Sequence, residues 1–555
     1  MIETAQANAN IARYLPHMAH ERPEQVAVVS GLVRDRADRP CYERLTFAEL
    51  DRESDAYAHG LTRYGIGPGT RVLLMVRPGL PLIALTFALF KAGCVPILID
   101  PAMGRANLAA CIAESQPEAL IGVPAAHLAR LVFRRACRTI TRAVTVGRRW
   151  AWGGATLEQL HDQRPEPFAI VPTRAGDMAA ILFTSGSTGV PKGVVYEHGM
   201  FEAQVQTLRA LYAIEPGEVE LPAFPLFALF NVALGVTSAI PDLDPTRPAS
   251  CNPARIVEII RDQRVTSSFG SPAIWERVTR HCLDQGIELP TLRRVLMAGA
   301  PVPLHLHERF QHILAPSADT HTPYGATEAL PIASASGREI LAAMRACGSP
   351  IAGTCVGRPA PGVTLRIIPI SDAPIAYWDD TLALPAGQVG EIAVQGATVT
   401  RRYVSREQAN RLAKIGAGAA TWHRMGDLGY LDEQGRLWFY GRKSQRVQLA
   451  DQCLYTEPCE LVFNQHPAVY RSALVGITRG GHAAAAIVIE PRPGHMPHDA
   501  AARARFTREL LALGAAHTAT RVIQTVLFHA AFPVDIRHNA KIFREQLAEW
   551  AQGHV

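Results

Sequence analysis

Along most of the chain, short apolar runs alternate with longer segments of helical period. Arg71-Val72-Leu73-Leu74-Met75-Val76 is an apolar run of strand length, and Val95-Pro96-Ile97-Leu98-Ile99-Asp100 is a second. Between them Pro81 marks a helix start, and the segment to Phe90 is apolar on nearly every side, which predicts a buried helix. Strand, buried helix and strand make a βαβ unit. Strands that are apolar throughout, rather than alternating, belong to parallel sheets covered on both faces. The pattern returns at 254–264, where Ile256, Ile259 and Ile260 share one helical face, and at the strand-like run 265–269. From 363 to 394 the texture changes to β-rich segments broken by Pro and Gly. Beyond about residue 445 a smaller unit is predicted: strands around 473–477 and 485–489, a helix near 500–513 and a last helix near 540–551. The expected fold is α/β, a large body of mixed and parallel sheets followed by a small α+β unit.

Composition narrows the function classes. A chain of 555 residues exceeds a single core. With 48% hydrophobic and 19% charged residues it has ample apolar surface to offset chain entropy, so disorder is excluded for its bulk. The net charge of +6 is mildly basic, and no dense Lys/Arg cluster with interleaved aromatics argues for nucleic acid. Arg138, Arg142, Arg148 and Arg149 form the richest basic patch and read as solvated surface. Ten cysteines lack any C-x-x-C, the closest pair being Cys453 and Cys459, which predicts reduced thiols. No basic-then-apolar leader is apparent, and the longest uncharged apolar run, Pro78 to Phe90, falls short of the ~20 residues of a membrane span. A cytoplasmic enzyme is the expectation.

One segment carries candidate chemistry. Ile181-Leu182-Phe183 leads into Thr184-Ser185-Gly186-Ser187-Thr188-Gly189-Val190-Pro191-Lys192-Gly193, a loop with three glycines, four hydroxyl residues and a lysine. Glycines let backbone N–H groups approach an anion, and hydroxyls add donors, so the composition suits a polyphosphate. It is not a Walker-type loop, because Pro191 occupies the second glycine position of that pattern. A flexible Ser/Gly turn is the bland alternative, and the placement of the lysine and proline is more specific than a linker requires.

These residues resemble the phosphate loop of the adenylate-forming enzymes, the family of acyl-CoA synthetases, luciferases and peptide-synthetase adenylation domains. Further segments resemble that family's motifs in its order: Ala298-Gly299-Ala300-Pro301, Tyr324-Gly325-Ala326-Thr327-Glu328, Val356-Gly357-Arg358-Pro359, Gly390-Glu391-Ile392, Arg424-Met425-Gly426-Asp427, Gly441-Arg442 and Asn539-Ala540-Lys541-Ile542. The resemblance covers about 20–550 and implies an adenylation body, 1–443, with a mobile C-terminal domain, 444–555, carrying a catalytic lysine. It implies ATP and Mg²⁺. Thr184, Ser185, Thr188 and Lys192, with Gly186, Ser187 and Gly189 in the loop, would hold the β- and γ-phosphates. Gly299, Ala300 and Pro301 would line the adenine pocket, Tyr324 would stack on adenine beside Gly325, and Thr327 would donate to the α-phosphate. Glu328 would bind Mg²⁺, Asp427 would accept the ribose hydroxyls with Arg442 nearby, and Lys541 would sit where the substrate carboxylate meets the α-phosphate.

Several positions depart from the acyl-CoA synthetases. Pro225-Leu226-Phe227 is followed by Ala228 where those enzymes have histidine. After the hinge arginine, Gln448 and Asp451 stand where they have the lysine and glycine of a thiol tunnel, and a negative side chain there would obstruct a phosphopantetheine arm. The segments 224–230, 323–331 and 533–541 resemble instead the β-lactone-forming group of bacterial olefin biosynthesis. That resemblance implies a long-chain 2-alkyl-3-hydroxy acid whose own β-hydroxyl attacks the adenylate. It also implies contact with the other pathway enzymes: thiolase-like, reductase and β-lactone decarboxylase. The alternatives are a long-chain acyl-CoA synthetase or acyl-carrier ligase of the same fold, and a degenerate nucleotide-binding scaffold. The last would have no use for Lys192, Glu328, Asp427 and Lys541 together.

Phe224, Phe227 and Phe230, with Leu229, could line an apolar substrate tunnel, although roughly half of such aromatics are core packing. Gly325 would leave room beside the adenylate. His305, His307 and His312 lack a carboxylate or cysteine pattern and are assigned to a surface helix. No base for the β-hydroxyl is evident; His423 precedes Arg424 and reads as a surface histidine.

Overall fold

The structure is a computed structural model that describes residues 8–162, 166–184, 191–224, 227–244, 246–534 and 542–555. The βαβ unit forms where the apolar runs predict it. Strand Arg71–Met75 pairs in parallel with Val95–Leu98, and helix Leu80–Lys91 crosses between them with ten consecutive residues, Leu82 to Lys91, buried. An all-round apolar helix has no face to give to water, so it lies in the interior. The unit sits in a seven-stranded sheet with the order Ala155–Thr156, Arg142–Thr145, Ala119–Gly122, Arg71–Met75, Val95–Leu98, Met178–Phe183, Gly193–Glu197. All neighbours run parallel except the last pair.

A second sheet has 14 strands among the described residues. One half is parallel, from Thr237–Ile240 through Val219–Pro222, Ser267–Gly270 and Arg294–Met297 to Asp319–Ala326. Helix Pro253–Asp262 covers this half and buries Ile256, Ile259 and Ile260, the three residues that share its apolar face. The other half, from Ala329–Ser336 outward to Val363–Ile368, is antiparallel. The β-rich region thus begins about forty residues before the change of texture at 363, because its first hairpin, Asp319–Ala326 with Ala329–Ser336, is too polar to read as strand.

The C-terminal strands are Val469–Arg479 and His482–Pro491, an antiparallel hairpin turning through Gly480 and Gly481 at positive φ, with Thr525–Phe528 alongside. Both hairpin strands outrun their apolar cores at 473–477 and 485–489: towards the turn Arg479 and His482 face water, whereas Val469, Glu490 and Pro491 at the other end are buried. Helix Ala500–Ala515 matches its expected span, and the last helix is Arg544–Gln552. Helix Thr456–Phe463 docks this part on the body: Thr354 Oγ1 donates to Glu457 Oε1 at 2.5 Å, and the Tyr440 and Tyr455 rings meet edge-on at 5.6 Å. Gly441, at φ +120°, makes the approach possible, for a Cβ there would lie 2.1 Å from Thr456 Oγ1. All ten cysteines are free thiols, and among the described residues no helix is long and apolar enough to cross a membrane.

Candidate active site

Three groups of candidate residues lie at the same end of the parallel half of the large sheet. Phe224, Phe227 and Phe230 follow strand Val219–Pro222, Gly299–Pro301 follow strand Arg294–Met297, and Tyr324 lies near the end of Asp319–Ala326. These three strands are parallel, so the segments lie beyond their carboxyl ends, where open α/β sheets place their ligand crevices. Gly299 has φ +89° and, like Pro301, is exposed. Phe224 is 38% exposed, whereas Phe227 stacks on Phe269 at 3.6 Å and continues to Phe230 (6.0 Å) and Phe201 (5.9 Å). The aromatic series therefore runs from the surface into the core. Gly325 is required by its own hairpin: a Cβ there would sit 2.6 Å from the Ala329 carbonyl, at a register shift between Tyr324 and Ala326.

Asp427, on strand Trp422–Leu431, pairs directly in register with Arg442, the last residue of strand Leu437–Arg442. Arg442 Nη1 lies 2.9 Å from Asp427 Oδ1, and the Tyr324 hydroxyl donates to Oδ2 at 2.6 Å. Residues more than a hundred positions apart in sequence thus converge on one carboxylate. The carboxylate is buried, and the arginine side chain remains 36% exposed. Burial, then the negative charge of Asp427, pushes the Tyr324 hydroxyl far above its ordinary pKa, so it stays a donor.

Thr327 and Glu328 form the turn between the two strands of the adjoining hairpin. The Tyr196 hydroxyl donates to the Thr327 carbonyl at 2.6 Å, and Thr400 donates to the Glu328 carbonyl through its N–H (2.8 Å) and hydroxyl (2.9 Å). The turn is therefore held through its backbone carbonyls. Glu328 Oε1 accepts from the Tyr403 hydroxyl at 2.7 Å. The Tyr403 ring is flanked by two ammonium groups, Lys192 Nζ at 5.1 Å and Lys414 Nζ at 5.6 Å from its centroid. Sequence reading missed Tyr403 and Lys414. Neither belongs to a motif, and they meet Glu328 only through the fold.

Lys414 is buried and donates to the Thr400 hydroxyl at 3.0 Å. Burial pushes its pKa down to about 7, opposed by Glu328 and reinforced by Lys192. Its cross-strand partner is His423, which is only 2% exposed and meets the Ala413 carbonyl through Nδ1 at 3.1 Å. The expectation of a surface histidine is thus corrected. Burial, then the charge of Lys414, lowers the His423 pKa far below its ordinary value, so the ring is neutral. His307 needs the same correction. It lies on the predicted helix, Leu304–Gln311, but is buried with Nδ1 2.7 Å from Thr320 Oγ1, while His305 and His312 face solvent.

The Gly-rich segment connects two antiparallel strands, Met178–Phe183 and Gly193–Glu197. Its base is closed by Thr184 N donating to the Lys192 carbonyl and Lys192 N donating to Thr184 Oγ1, both at 3.1 Å. Ser185, Gly186, Ser187, Thr188 and Gly189 lie outside the described residues, as does Lys541. Gln448 and Asp451 are exposed, and Gln448 borders a cavity of about 330 Å³ between the linker 444–448 and the small C-terminal sheet.

Among the described residues no three metal-ligating side chains cluster. Glu328 nonetheless suits Mg²⁺, which is commonly held by one or two carboxylates together with substrate phosphates. Its Oε1 is oriented by Tyr403, and among the described residues Oε2 has no partner.

A family model described as AMP-binding enzyme matches residues 15–404. The chain is 48% identical over 549 residues to an olefin beta-lactone synthetase of Xanthomonas campestris pv. campestris, covering 98% of this chain and 97% of that protein. An olefin beta-lactone synthetase of Stenotrophomonas maltophilia is also 48% identical, over 98% of each chain. Among solved structures, the amide bond synthetase McbA from Marinactinospora thermotolerans has a TM-score of 0.79 at 23% identity, covering 98% of this chain and 99% of that one. ATP-bound MatB from Rhodopseudomonas palustris has a TM-score of 0.77 at 20% identity, with the same coverage. At these identities the two structures establish a common fold.

Proposed function

The chain belongs to the AMP-binding enzyme family, and from that premise we propose that it activates a long-chain 2-alkyl-3-hydroxy acid with ATP and closes it to a β-lactone. The observation that carries this reading is the 48% identity to two olefin beta-lactone synthetases over 98% of the chain. The replacements at Ala228, Gln448 and Asp451 support it, because they depart from the pattern of enzymes that take up a thiol.

In the first step a carboxylate oxygen of the acid bonds to the α-phosphorus of ATP as the bond to pyrophosphate breaks. Asp427 receives the ribose hydroxyls. A carboxylate offers about four acceptor sites, so it need not surrender Tyr324 or Arg442. Gly299, Ala300 and Pro301 border the adenine with Tyr324 and Gly325. Thr184, Ser185, Thr188 and Lys192 hold the β- and γ-phosphates within a loop that includes Gly186, Ser187 and Gly189. Thr327, fixed by Tyr196, donates to the α-phosphate. Glu328 would hold Mg²⁺, which when bound neutralises charge on the departing pyrophosphate. Lys541, carried by a mobile domain of residues 444–555 that turns against the body 1–443, stabilises charge between carboxylate and α-phosphate.

In the second step the β-hydroxyl oxygen bonds to the acyl carbon, AMP leaves and the hydroxyl proton is released. Phe224, Phe227 and Phe230 hold the alkyl chains so that hydroxyl and acyl carbon stay in near-attack geometry, the advantage of effective concentration. Enzymes that supply the hydroxy acid or remove the lactone would be its neighbours in sequence of reaction. The test is product analysis by NMR after incubation with ATP, Mg²⁺ and a synthetic 2-alkyl-3-hydroxy acid, with and without CoA. A β-lactone with matching AMP and no need of CoA is the expected result. A thioester formed only with CoA would overturn the reading in favour of a conventional ligase.

A further inference from the structure

The helix that follows strand Ala119–Gly122 of the seven-stranded sheet carries an exposed apolar surface. Helix Pro124–Val132 leaves three aliphatic side chains in water: Leu128 at 44%, Leu131 at 41% and Val132 at 73% exposure. Their i, i+3, i+4 spacing places them on one side of the helix. Ala126 and His127 are buried, with His127 Nε2 within 3.2 Å of the Gly122 and Val144 carbonyls. The His127 ring stacks on Trp152 at 5.3 Å, and Trp152 lies 5.3 Å from Trp150, which is 54% exposed. Arg130 ties the helix to the same loop by donating to the Trp152 carbonyl at 3.0 Å. Helix and tryptophan loop therefore form one continuous face.

The stretch of chain that builds it is one-sided in charge. Between Glu118 and Glu158 the sequence holds seven arginines and no Asp or Glu, more positive charge than the +6 of the whole chain. Arg142 is engaged inward, donating to the Tyr64 carbonyl at 3.1 Å, but Arg134, Arg135, Arg138, Arg148 and Arg149 are exposed. Arginines that served only solubility would not need exposed Leu, Val and Trp beside them. An acidic protein would satisfy the guanidinium groups and gain little from the aliphatic ones. A bilayer surface accepts both, with aliphatic groups in the acyl boundary, tryptophan at headgroup depth and arginine on lipid phosphate.

We propose that this face docks the protein reversibly on anionic phospholipid, with Leu131, Val132 and Trp150 entering the acyl boundary and Arg134, Arg135 and Arg148 meeting headgroup phosphates. The proposal does not depend on which acid the enzyme activates, because its readout is binding. The test uses the full chain in co-sedimentation with vesicles of phosphatidylglycerol mixed with phosphatidylcholine, and with phosphatidylcholine alone. Binding to the anionic vesicles is expected at about 0.01 M salt and should fall steeply by about 0.15 M, as the Debye length shrinks. The paired variants Leu131→Asp/Val132→Asp and Arg134→Glu/Arg135→Glu should each weaken binding at least about tenfold. Being surface changes, they should leave the melting temperature and ATP–pyrophosphate exchange unchanged. Failure to bind anionic vesicles at low salt would overturn the proposal. So would binding that survives Leu131→Asp/Val132→Asp, which would mark mere electrostatic adhesion.

Discussion

Two buried carboxylates, Asp427 and Glu391, lie on neighbouring strands and grip consecutive residues of the linker to the C-terminal part. Asp427 holds Arg442 and accepts from Tyr324. Glu391 holds Lys443, with Oε1 to Nζ at 3.0 Å, and Arg424, with Oε2 to Nη2 at 2.6 Å. The difference lies in access. Arg424 and Glu391 are each 1% exposed, and Arg424 also donates to the Ala373 carbonyl at 2.7 Å, so that network is closed to any ligand. The Arg442 side chain is 36% exposed, which leaves the Asp427 cluster open at one side. Similar charge chemistry serves as scaffold where sealed and offers a binding edge where solvent reaches it.

The sharpest way to separate the two is to remove each carboxylate. Glu391→Ala strands a buried guanidinium and should destabilise the fold by about 3–5 kcal/mol, read as a lowered denaturation midpoint. Asp427→Asn keeps the shape and should cost less in stability. Its main effect should be on ATP, raising the KM roughly tenfold to a hundredfold, the worth of a charge-assisted hydrogen bond lost. If Asp427→Asn unfolded the protein as readily as Glu391→Ala, the distinction between open and sealed clusters would fail.

A smaller effect tests the neighbouring cluster. The Lys414 pKa is depressed to about 7 in the folded state. Above that value the unfolded chain, with an ordinary lysine, binds the extra proton, so the contribution of Lys414 makes stability rise with pH from about 7 towards 10. Lys414→Met should remove that contribution. The stability difference between wild type and variant, followed by denaturant unfolding at several pH values, should change by up to about 1.4 kcal/mol per pH unit. A constant difference would mean that Lys414 stays charged when folded.

Much of the fold was legible because apolar runs report burial directly. Runs 71–76 and 95–100 contain the paired parallel strands Arg71–Met75 and Val95–Leu98, and Ile256, Ile259 and Ile260 are buried. Legibility failed where strands are polar: 319–326 has no apolar run, and the last residues of Val469–Arg479, Thr478 and Arg479, are exposed. Within the site, Tyr324, Glu328, Asp427 and Arg442 stood in recognisable local patterns. Tyr403 reaches Glu328 across 75 positions and Lys414 enters beside the same ring, so no local pattern marks either. His423 and His307 misled because an isolated histidine carries no sign of burial. The basic patch near Trp150 reads as solvated surface, and Arg138, Arg148 and Arg149 are exposed, whereas Arg142 turns inward to the Tyr64 carbonyl.

The Gly-rich segment joins strand to strand, and this bears on how it would attract an anion. The helix that follows begins only at His198, beyond strand Gly193–Glu197, which spans roughly 16 Å at about 3.3 Å per residue. A helix macrodipole falls off within its first turn, so the helix that follows in sequence lends little to the loop. Among the described residues, Lys192 at the base of the loop and Lys414 across the Tyr403 ring bring ammonium groups to this place. A peptide dipole is fixed in the backbone, whereas a lysine ammonium rides on a flexible four-carbon stem. Charge carried in this way can follow an anion as it moves, which a helix end cannot do.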